Sequence, residues 1–114
     1  MVEQPWAPER GDVVWLTFDP QAGREQAGRR PALVLSPAGY NTRTGLAFMC
    51  PITGQQKGYP FEVDLPAGLS IRGSILADHL KSVDWRERDA AFIGRVQPET
   101  LRAVLNRIAP LLGF

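Results

Sequence analysis

Gly23-Arg24-Glu25-Gln26-Ala27-Gly28-Arg29-Arg30-Pro31-Ala32-Leu33-Val34-Leu35 joins a polar, glycine-bounded loop to an apolar strand. The strand is predicted to begin at Pro31, because proline is tolerated at the first position of a strand. The preceding loop holds three arginines and one glutamate. A carboxylate and guanidinium groups are thus presented where a rigid element begins, and such a loop can accept a proton and hold a phosphate. We interpret the rest of the chain as the scaffold that orients this loop.

Apolar runs on both sides of this stretch predict a sheet. Residues 13–18 are β-branched and aromatic, which favours a strand, and their two apolar faces predict a central one. Residues 61–65 alternate apolar and acidic side chains, as a half-exposed strand does. Further strands are predicted at residues 31–35, 46–52 and 91–96, and residues 73–77 and 81–85 are predicted to form two strands or one bent strand. Five or more short strands indicate a small antiparallel barrel.

A terminal helix and three irregular segments complete the predicted architecture. Pro98 and Glu99 suit the start of a helix, and apolar residues recur every three or four positions from Leu101 to Leu112 as one stripe. Residues 19–29 are predicted to form a loop, and residues 36–45 a turn-rich connection. The expected organisation is an N-terminal arm over residues 1–10 and a single domain over residues 11–114.

The composition argues against a structural zinc site and indicates where a polyanion could bind. One cysteine, Cys50, and one histidine cannot supply a structural zinc site, and Cys50 lies in an apolar run that predicts a small buried side chain. The net charge is only +1, yet three arginines in one loop create local positive potential that can attract a polyanion. No apolar stretch approaches the roughly 20 residues of a membrane span. The N-terminus lacks the features of a signal peptide, so we expect a cytoplasmic protein.

Four blocks of sequence, in this order, resemble the MazF/PemK (Kid) family of bacterial toxins. They are Gly11-Asp12-Val13-Val14-Trp15 with Phe18-Asp19-Pro20, Glu25-Gln26-Ala27-Gly28-Arg29-Arg30-Pro31-Ala32, Lys57-Gly58-Tyr59-Pro60-Phe61-Glu62-Val63, and Ala77-Asp78-His79-Leu80-Lys81-Ser82-Val83-Asp84-Trp85-Arg86. Any one block is a weak signal, whereas four in order and with matching spacing over about residues 10–112 are a strong one.

The resemblance implies a fold, an activity and partners. The fold would be mainly β, an SH3-like antiparallel barrel with a C-terminal helix, assembled as a homodimer. The activity would be ribosome-independent cleavage of single-stranded mRNA at short specific sites, without metal or cofactor, leaving a 2′,3′-cyclic phosphate and a 5′-hydroxyl. A MazE-like antitoxin would place an acidic C-terminal tail in the RNA groove. Contact with DNA would occur only through the antitoxin, and no membrane contact is expected.

Three residues are the candidate catalytic groups. Glu25 is the candidate base for the 2′-hydroxyl, since a carboxylate is ionised at neutral pH. Arg30 is the candidate phosphate clamp, because its planar fork matches two phosphate oxygens. In related toxins a threonine at the position of Thr53 contacts the scissile phosphate. The proton for the leaving oxygen stays open between Arg30, water and His79.

Two groups of polar residues are candidates for RNA contact. Arg24 and Arg29 are assigned to phosphate contact or to solvation. A polar loop and residues 78–85 are expected to line the groove, where tyrosine can stack a base and amides can read base edges. These candidates are Gln55, Gln56, Lys57, Tyr59, Asp78, His79 and Lys81. Family members commonly carry glutamine at the position of His79, which favours a structural or RNA-contacting role for it.

Two non-enzymatic alternatives remain at this point. CcdB relatives share this barrel but bind DNA gyrase, and their tail ends in Trp-Gly-Ile, whereas this chain ends in Leu112-Gly113-Phe114. The loop that carries Glu25 also argues against that class. A plain RNA-binding barrel would bind RNA and leave it intact.

Overall fold

The computed structural model describes residues 6–18 and 28–114, and within them the chain forms a curled antiparallel sheet with a C-terminal helix. The strands are β1 Asp12–Phe18, β2 Gly28–Val34, β3 Leu46–Thr53, β4 Glu62–Asp64, β5 Ser74–Leu76, β6 Lys81–Asp84 and β7 Ala91–Arg95. They follow the order β4-β5-β3-β2-β1-β7, and β6 pairs with the other end of β3. The predicted mainly β fold with a terminal helix is confirmed, as a half-barrel.

Successive side chains of each strand point to opposite faces of the sheet. Each face carries its own cluster of buried residues. Val13, Leu33 and Cys50 belong to one core cluster, and Val14 and Met49 belong to the other. The first cluster also contains residues of the C-terminal helix, whereas partly buried residues such as Ala7 and Ala90 pack against the second. β1 lies between β2 and β7, which confirms that it is a central strand.

Cys50 is fully buried in β3, as its apolar surroundings in the sequence predicted. Its Sγ donates a hydrogen bond to the carbonyl of Ala77 at 3.6 Å. Burial raises the pKa of this thiol to about 12, with a smaller contribution from the charge of Asp78.

The segment 36–45 is a helix and not the predicted turn-rich connection. Helix α1, Ala38–Thr44, follows Pro37 and ends at Gly45 in the left-handed conformation with φ of 75°. Only Asn41 of this helix is buried. Its side chain donates to the carbonyls of Pro8 and Ser36, at 2.8 and 3.0 Å, and accepts from the Ser36 hydroxyl. A buried polar residue therefore anchors α1, and no apolar stripe marked it in the sequence.

β2 begins earlier than predicted. Gly28, Arg29 and Arg30 are strand residues paired with Phe18, Thr17 and Leu16, so the predicted loop 19–29 overlaps the strand. The prediction started the strand at Pro31, yet Pro31 pairs with Trp15 inside it. β3 pairs with β2 only from Ala32 onward, so at Pro31 one side of the strand has no partner among the described residues. A proline can occupy such a position because it has no N–H to donate.

The C-terminal helix is shorter than its apolar stripe. Helix α2, Pro98–Ile108, buries Val104 and Ile108 and passes into a 3₁₀ turn at Ala109–Leu112. The pattern assigned Leu105, Leu111 and Leu112 to the same stripe. These three side chains are exposed instead, Leu105 by 38%, Leu111 by 53% and Leu112 by 60%. Among the residues that the structure describes, no helix combines the length and apolarity needed to cross a bilayer.

Candidate active site

The register of three strands places Arg30 and Thr53 on the same face of the sheet. Arg30 pairs with Leu16 of β1, and Ala32 pairs with Pro51 of β3. Arg30 precedes Ala32 by two residues, and Thr53 follows Pro51 by two. Because side chains alternate along a strand, Arg30 shares its face with Ala32, and Thr53 shares its face with Pro51. Both candidate residues therefore lie at the same end of this face, near the last pair of β1 and β2, Phe18 with Gly28.

A narrow cleft of about 60 Å³ opens on this face. Arg30 and Lys81 border it together with apolar residues of the second core cluster. Lys81 reaches the same face because it pairs with Met49 of β3. Two of the sequence candidates from distant segments, Arg30 and Lys81, thus border the same cleft. The other residues that line this cleft are apolar.

Phe18 carries two cations on its ring at the edge of this cleft. Lys81 Nζ lies 5.6 Å from the ring centroid, and the guanidinium carbon of Arg88 lies 4.7 Å from it. Cation–π contacts of this kind hold long basic side chains in place. Phe18 and Arg88 were not among the residues expected to contact RNA, since only the fold brings the turn after β6 beside the end of β1. The surface around Arg30 is consequently more basic than the sequence suggested.

The hydroxyl of Thr53 is half-buried and oriented by its own loop. Its Oγ1 accepts a hydrogen bond from the backbone N–H of Gln55 at 3.1 Å. Since a hydroxyl has one proton to donate besides its acceptor lone pairs, this contact leaves the Thr53 proton available for an anionic oxygen. Thr53 also pairs with Ser74 of β5, which fixes its backbone from the other side.

Arg29 lies on the opposite face of β2 from Arg30, as strand alternation requires. Its guanidinium donates to the hydroxyl of Thr17 and, at 3.2 Å, to the carbonyl of Asp89. The carboxylate of Asp89 is 3.8 Å from the same guanidinium, and Asp89 adopts a left-handed φ of 54°. Arg29 thus joins the ends of β1 and β2 to the turn after β6, away from the cleft.

The second polar loop, residues 54–60, is exposed throughout. The loop joins β3 to β4, and it is braced by Glu62, whose Oε1 accepts from the backbone N–H groups of Lys57 at 3.1 Å and Gly58 at 3.0 Å. Gln55, Gln56, Lys57 and Tyr59 are all exposed on this loop, and Tyr59 is 61% exposed. An exposed ring on a braced loop is suited to stacking on an unpaired base.

Asp78 and His79 lie in a 3₁₀ turn, Ala77–His79, between β5 and β6. Both side chains are largely exposed, and His79 Nε2 is 3.9 Å from Asp78 Oδ1. Glu25 and Arg24 lie outside the described residues. Within the described part of the chain, no three or more of the residue types His, Cys, Asp and Glu come together as a metal site would need.

Comparison with known families identifies the chain. The family described as "PemK-like, MazF-like toxin of type II toxin-antitoxin system" matches residues 9–112. The chain belongs to this toxin family. The MazF/PemK resemblance carried by the four sequence blocks is thereby confirmed.

Individual relatives agree with this assignment. The endoribonuclease toxin MazF of Escherichia coli (strain K12) is 49% identical to this toxin over 108 residues, covering 95% of this chain and 96% of that protein. Endoribonuclease PemK of E. coli is 30% identical over 109 residues, covering 91% of this chain and 81% of that protein. A crystal structure of MazE–MazF (form II) from Deinococcus radiodurans superposes with a TM-score of 0.91 at 53% identity, covering 96% of this chain and 99% of that one.

Proposed function

We propose that this toxin is an endoribonuclease that cuts single-stranded mRNA at short specific sequences, by a metal-free attack of the 2′-hydroxyl on the adjacent phosphorus. The products would be a 2′,3′-cyclic phosphate and a 5′-hydroxyl. Membership of the toxin family and 49% identity to an endoribonuclease support the activity. The observation that carries the mechanism is the meeting of Arg30, Thr53 and Lys81 on one face of the sheet.

Glu25 is the proposed base. It stands three residues before Gly28 in the chain, and three residues span at most about 11 Å. Gly28 is paired with Phe18 at the rim of the basic face, so the chain length permits a carboxylate three residues earlier to reach a phosphate held by Arg30. A positioned base of this kind contributes about 10²- to 10⁴-fold to the rate.

Arg30 and Thr53 are proposed to hold the reacting phosphate. As the 2′-oxygen attacks, negative charge develops on the equatorial oxygens of the phosphorane, and the Arg30 guanidinium stabilises it with two parallel hydrogen bonds. The Thr53 hydroxyl donates one more. The bond from phosphorus to the 5′-oxygen then breaks as that oxygen takes a proton from Arg30, water or His79. Lys81 and Arg88, whose cations lie over the Phe18 ring, are proposed to bind flanking phosphates.

The basic face around Arg30 also indicates which partners bind the toxin. A basic, partly apolar surface attracts an acidic peptide as well as RNA, and the similar D. radiodurans structure contains MazE with MazF. We therefore infer that a MazE-like antitoxin with an acidic C-terminal tail neutralises this toxin by covering the face, that DNA is reached only through the antitoxin, and that the toxin acts in the cytoplasm as a homodimer.

A cleavage assay tests this function. The purified protein is incubated with a long single-stranded RNA in EDTA, and cut sites are mapped by primer extension. We expect discrete cuts that carry 5′-hydroxyl ends. Glu25→Ala and Arg30→Ala should each lower kcat by about 10²-fold or more, whereas Arg102→Ala, an exposed arginine of α2, serves as the matched control.

Three results would reject the proposal. They are intact RNA, cleavage that stops in EDTA, or variants at Glu25 and Arg30 that cut as fast as the control. A supercoiling assay with DNA gyrase separates the first result from a gyrase-binding function. A gel shift with intact RNA separates it from simple RNA binding.

A further inference from the structure

A second, larger cleft of about 500 Å³ lies beside Thr53 and takes no part in the chemistry described above. Its walls come from the start of the polar loop and from the connection between β4 and β5. Half-buried Leu65, Leu69 and Ile71 form the apolar wall, and Gln56 and Arg72 supply polar groups. Pockets that bind small organic groups have this size and this combination of apolar walls with a few polar groups.

The cleft is joined to the proposed catalytic face through Gly73 and Thr53. A Cβ atom at Gly73 would lie 2.2 Å from the carbonyl oxygen of Thr53, so the two backbones are in direct contact. Gly54 and Gly73 both border the cleft, and each is next to a residue of the pair formed by Thr53 and Ser74. The cleft therefore begins one residue away from Thr53 along the chain and one residue away from its strand partner Ser74.

The amide of Gln56 is held in one orientation at the rim. Its Nε2 donates to Asp64 Oδ1 at 3.1 Å, and the buried hydroxyl of Ser74 donates to the same oxygen at 2.9 Å. A carboxylate accepts and does not donate, so the amide nitrogen must face Asp64. The Gln56 Oε1 is left as the acceptor that an incoming group meets.

Arg72 supplies the charge that an anionic ligand needs. It is exposed, it borders the cleft, and it forms no ion pair with any acidic residue in the part of the chain that the structure describes. A guanidinium binds a phosphate through two hydrogen bonds or stacks on the face of a base. The apolar wall is suited to the flat face of a base.

We propose that this cleft binds the nucleotide next to the cleaved phosphodiester, with Arg72 on its phosphate and Gln56 reading its base. The proposal rests on the proposed ribonuclease function and adds to it a specificity-determining site. Since Gln56 presents an acceptor, the cleft favours a base with an exocyclic amino group, adenine, cytosine or guanine, over uracil, which has none. Asp64 and Ser74 act as positioning residues, because they fix the amide without touching the RNA.

The test first compares cut sites on one long single-stranded RNA. The parent, Gln56→Ala, Asp64→Asn and the control Arg102→Ala are used, and thermal unfolding confirms that each variant is folded. We expect Gln56→Ala and Asp64→Asn to keep cutting but to lose the preference for an amino-bearing base at one position next to the cut. An asparagine at position 64 can donate as well as accept, so it no longer dictates the orientation of the Gln56 amide.

The second part measures binding. A fluorescein-labelled 2′-deoxy copy of the mapped site, which lacks the attacking hydroxyl, is titrated against the parent, Arg72→Ala and Arg102→Ala at several salt concentrations. Arg72→Ala should raise Kd by about tenfold. It should also lower the slope of log Kd against log salt by about 0.7, which is the value for one phosphate contact on a single strand. Arg102→Ala should leave both unchanged.

The outcomes separate the two proposals. If the parent cuts no RNA, the ribonuclease function fails and this site fails with it. If the parent cuts RNA but Arg72→Ala keeps the parental Kd and salt slope, the cleft does not hold a phosphate and the site is rejected. It is equally rejected if Gln56→Ala and Asp64→Asn keep the parental base preference, while the ribonuclease function stands in both cases.

Discussion

Gly73 provides a quantitative test of how tightly β5 is packed against β3. Its φ of 144° lies in a region that L side chains rarely adopt, and a Cβ there would lie 2.2 Å from the Thr53 carbonyl oxygen and 3.4 Å from Ile52 Cγ2. In Gly73→Ala, β5 must move by roughly 1 Å or the backbone must rotate. Strained backbone costs about 1–3 kcal/mol, and overpacking adds about 1–3 kcal/mol. We expect the free energy of unfolding to fall by about 2–6 kcal/mol.

Two other glycines separate these terms. Gly68 has a φ of 110° and nothing within 4 Å of a built Cβ, so Gly68→Ala carries the strain without the collision. Gly54 has neither a positive φ nor a close neighbour, so Gly54→Ala should be close to neutral. The order of stability should therefore be Gly54→Ala, then Gly68→Ala, then Gly73→Ala, the last two differing by about 1–3 kcal/mol.

Urea unfolding followed by circular dichroism measures the series. The midpoint and the slope are both fitted, so that a change in stability is distinguished from a change in the denatured state. If Gly73→Ala and Gly68→Ala lose the same stability, the close approach of Gly73 to Thr53 is not present in solution. The contact between Gly73 and Thr53 that borders the larger cleft would then be absent as well.

Two further predictions concern ionisable groups. Because burial raises the pKa of Cys50 to about 12, the native thiol should react with Ellman's reagent at about pH 8 far more slowly than the urea-unfolded chain, and equal rates would place Cys50 at the surface. Hydrogen bonds from the backbone N–H groups of Arg10 and Ala38 lower the pKa of Glu9 below 4.5. A lowered pKa stabilises the fold above the unfolded pKa, so Glu9→Gln should lower Tm at neutral pH, and the deficit should close as pH falls below about 4.5. A deficit that is constant with pH would contradict this.

The strands were predictable where the sequence alternated or was continuously apolar. β1 followed from a β-branched and aromatic run, β3 from a continuously apolar run, and β4 from the alternation of Val63 with acidic neighbours. The start of β2 was missed because Arg29 and Arg30 are polar, and pairing with β1 decides their conformation. α1 was missed because hydrogen bonds to buried Asn41 stabilise it and no apolar periodicity does. On α2 the stripe was extended too far, since Pro110 turns the chain into a 3₁₀ turn.

The candidate site was only partly contained in the sequence. Residue types and family blocks pointed to Arg30, Thr53 and Lys81, but only the strand register places the three on one face. Register also sends Arg29 to the other face, which no property of two adjacent arginines reveals. Arg88, Arg72 and Asp64 lie far along the chain from Glu25, and their positions depend on how β4, β5 and β6 pair with β3.

The aromatic contact between Trp6 and Trp85 allows the packing of residues 6–10 against the sheet to be followed by circular dichroism. The two ring centroids are 6.1 Å apart at an interplanar angle of 81°, and Trp85 is buried with its Nε1 donating to the Asn41 carbonyl at 2.9 Å, while Trp6 is 42% exposed. Two indoles at this separation and angle couple through their strong far-ultraviolet transitions and add a circular dichroism couplet of their own. Release of the arm would abolish that signal while the sheet stays folded, so one spectrum distinguishes a detached arm from an unfolded toxin.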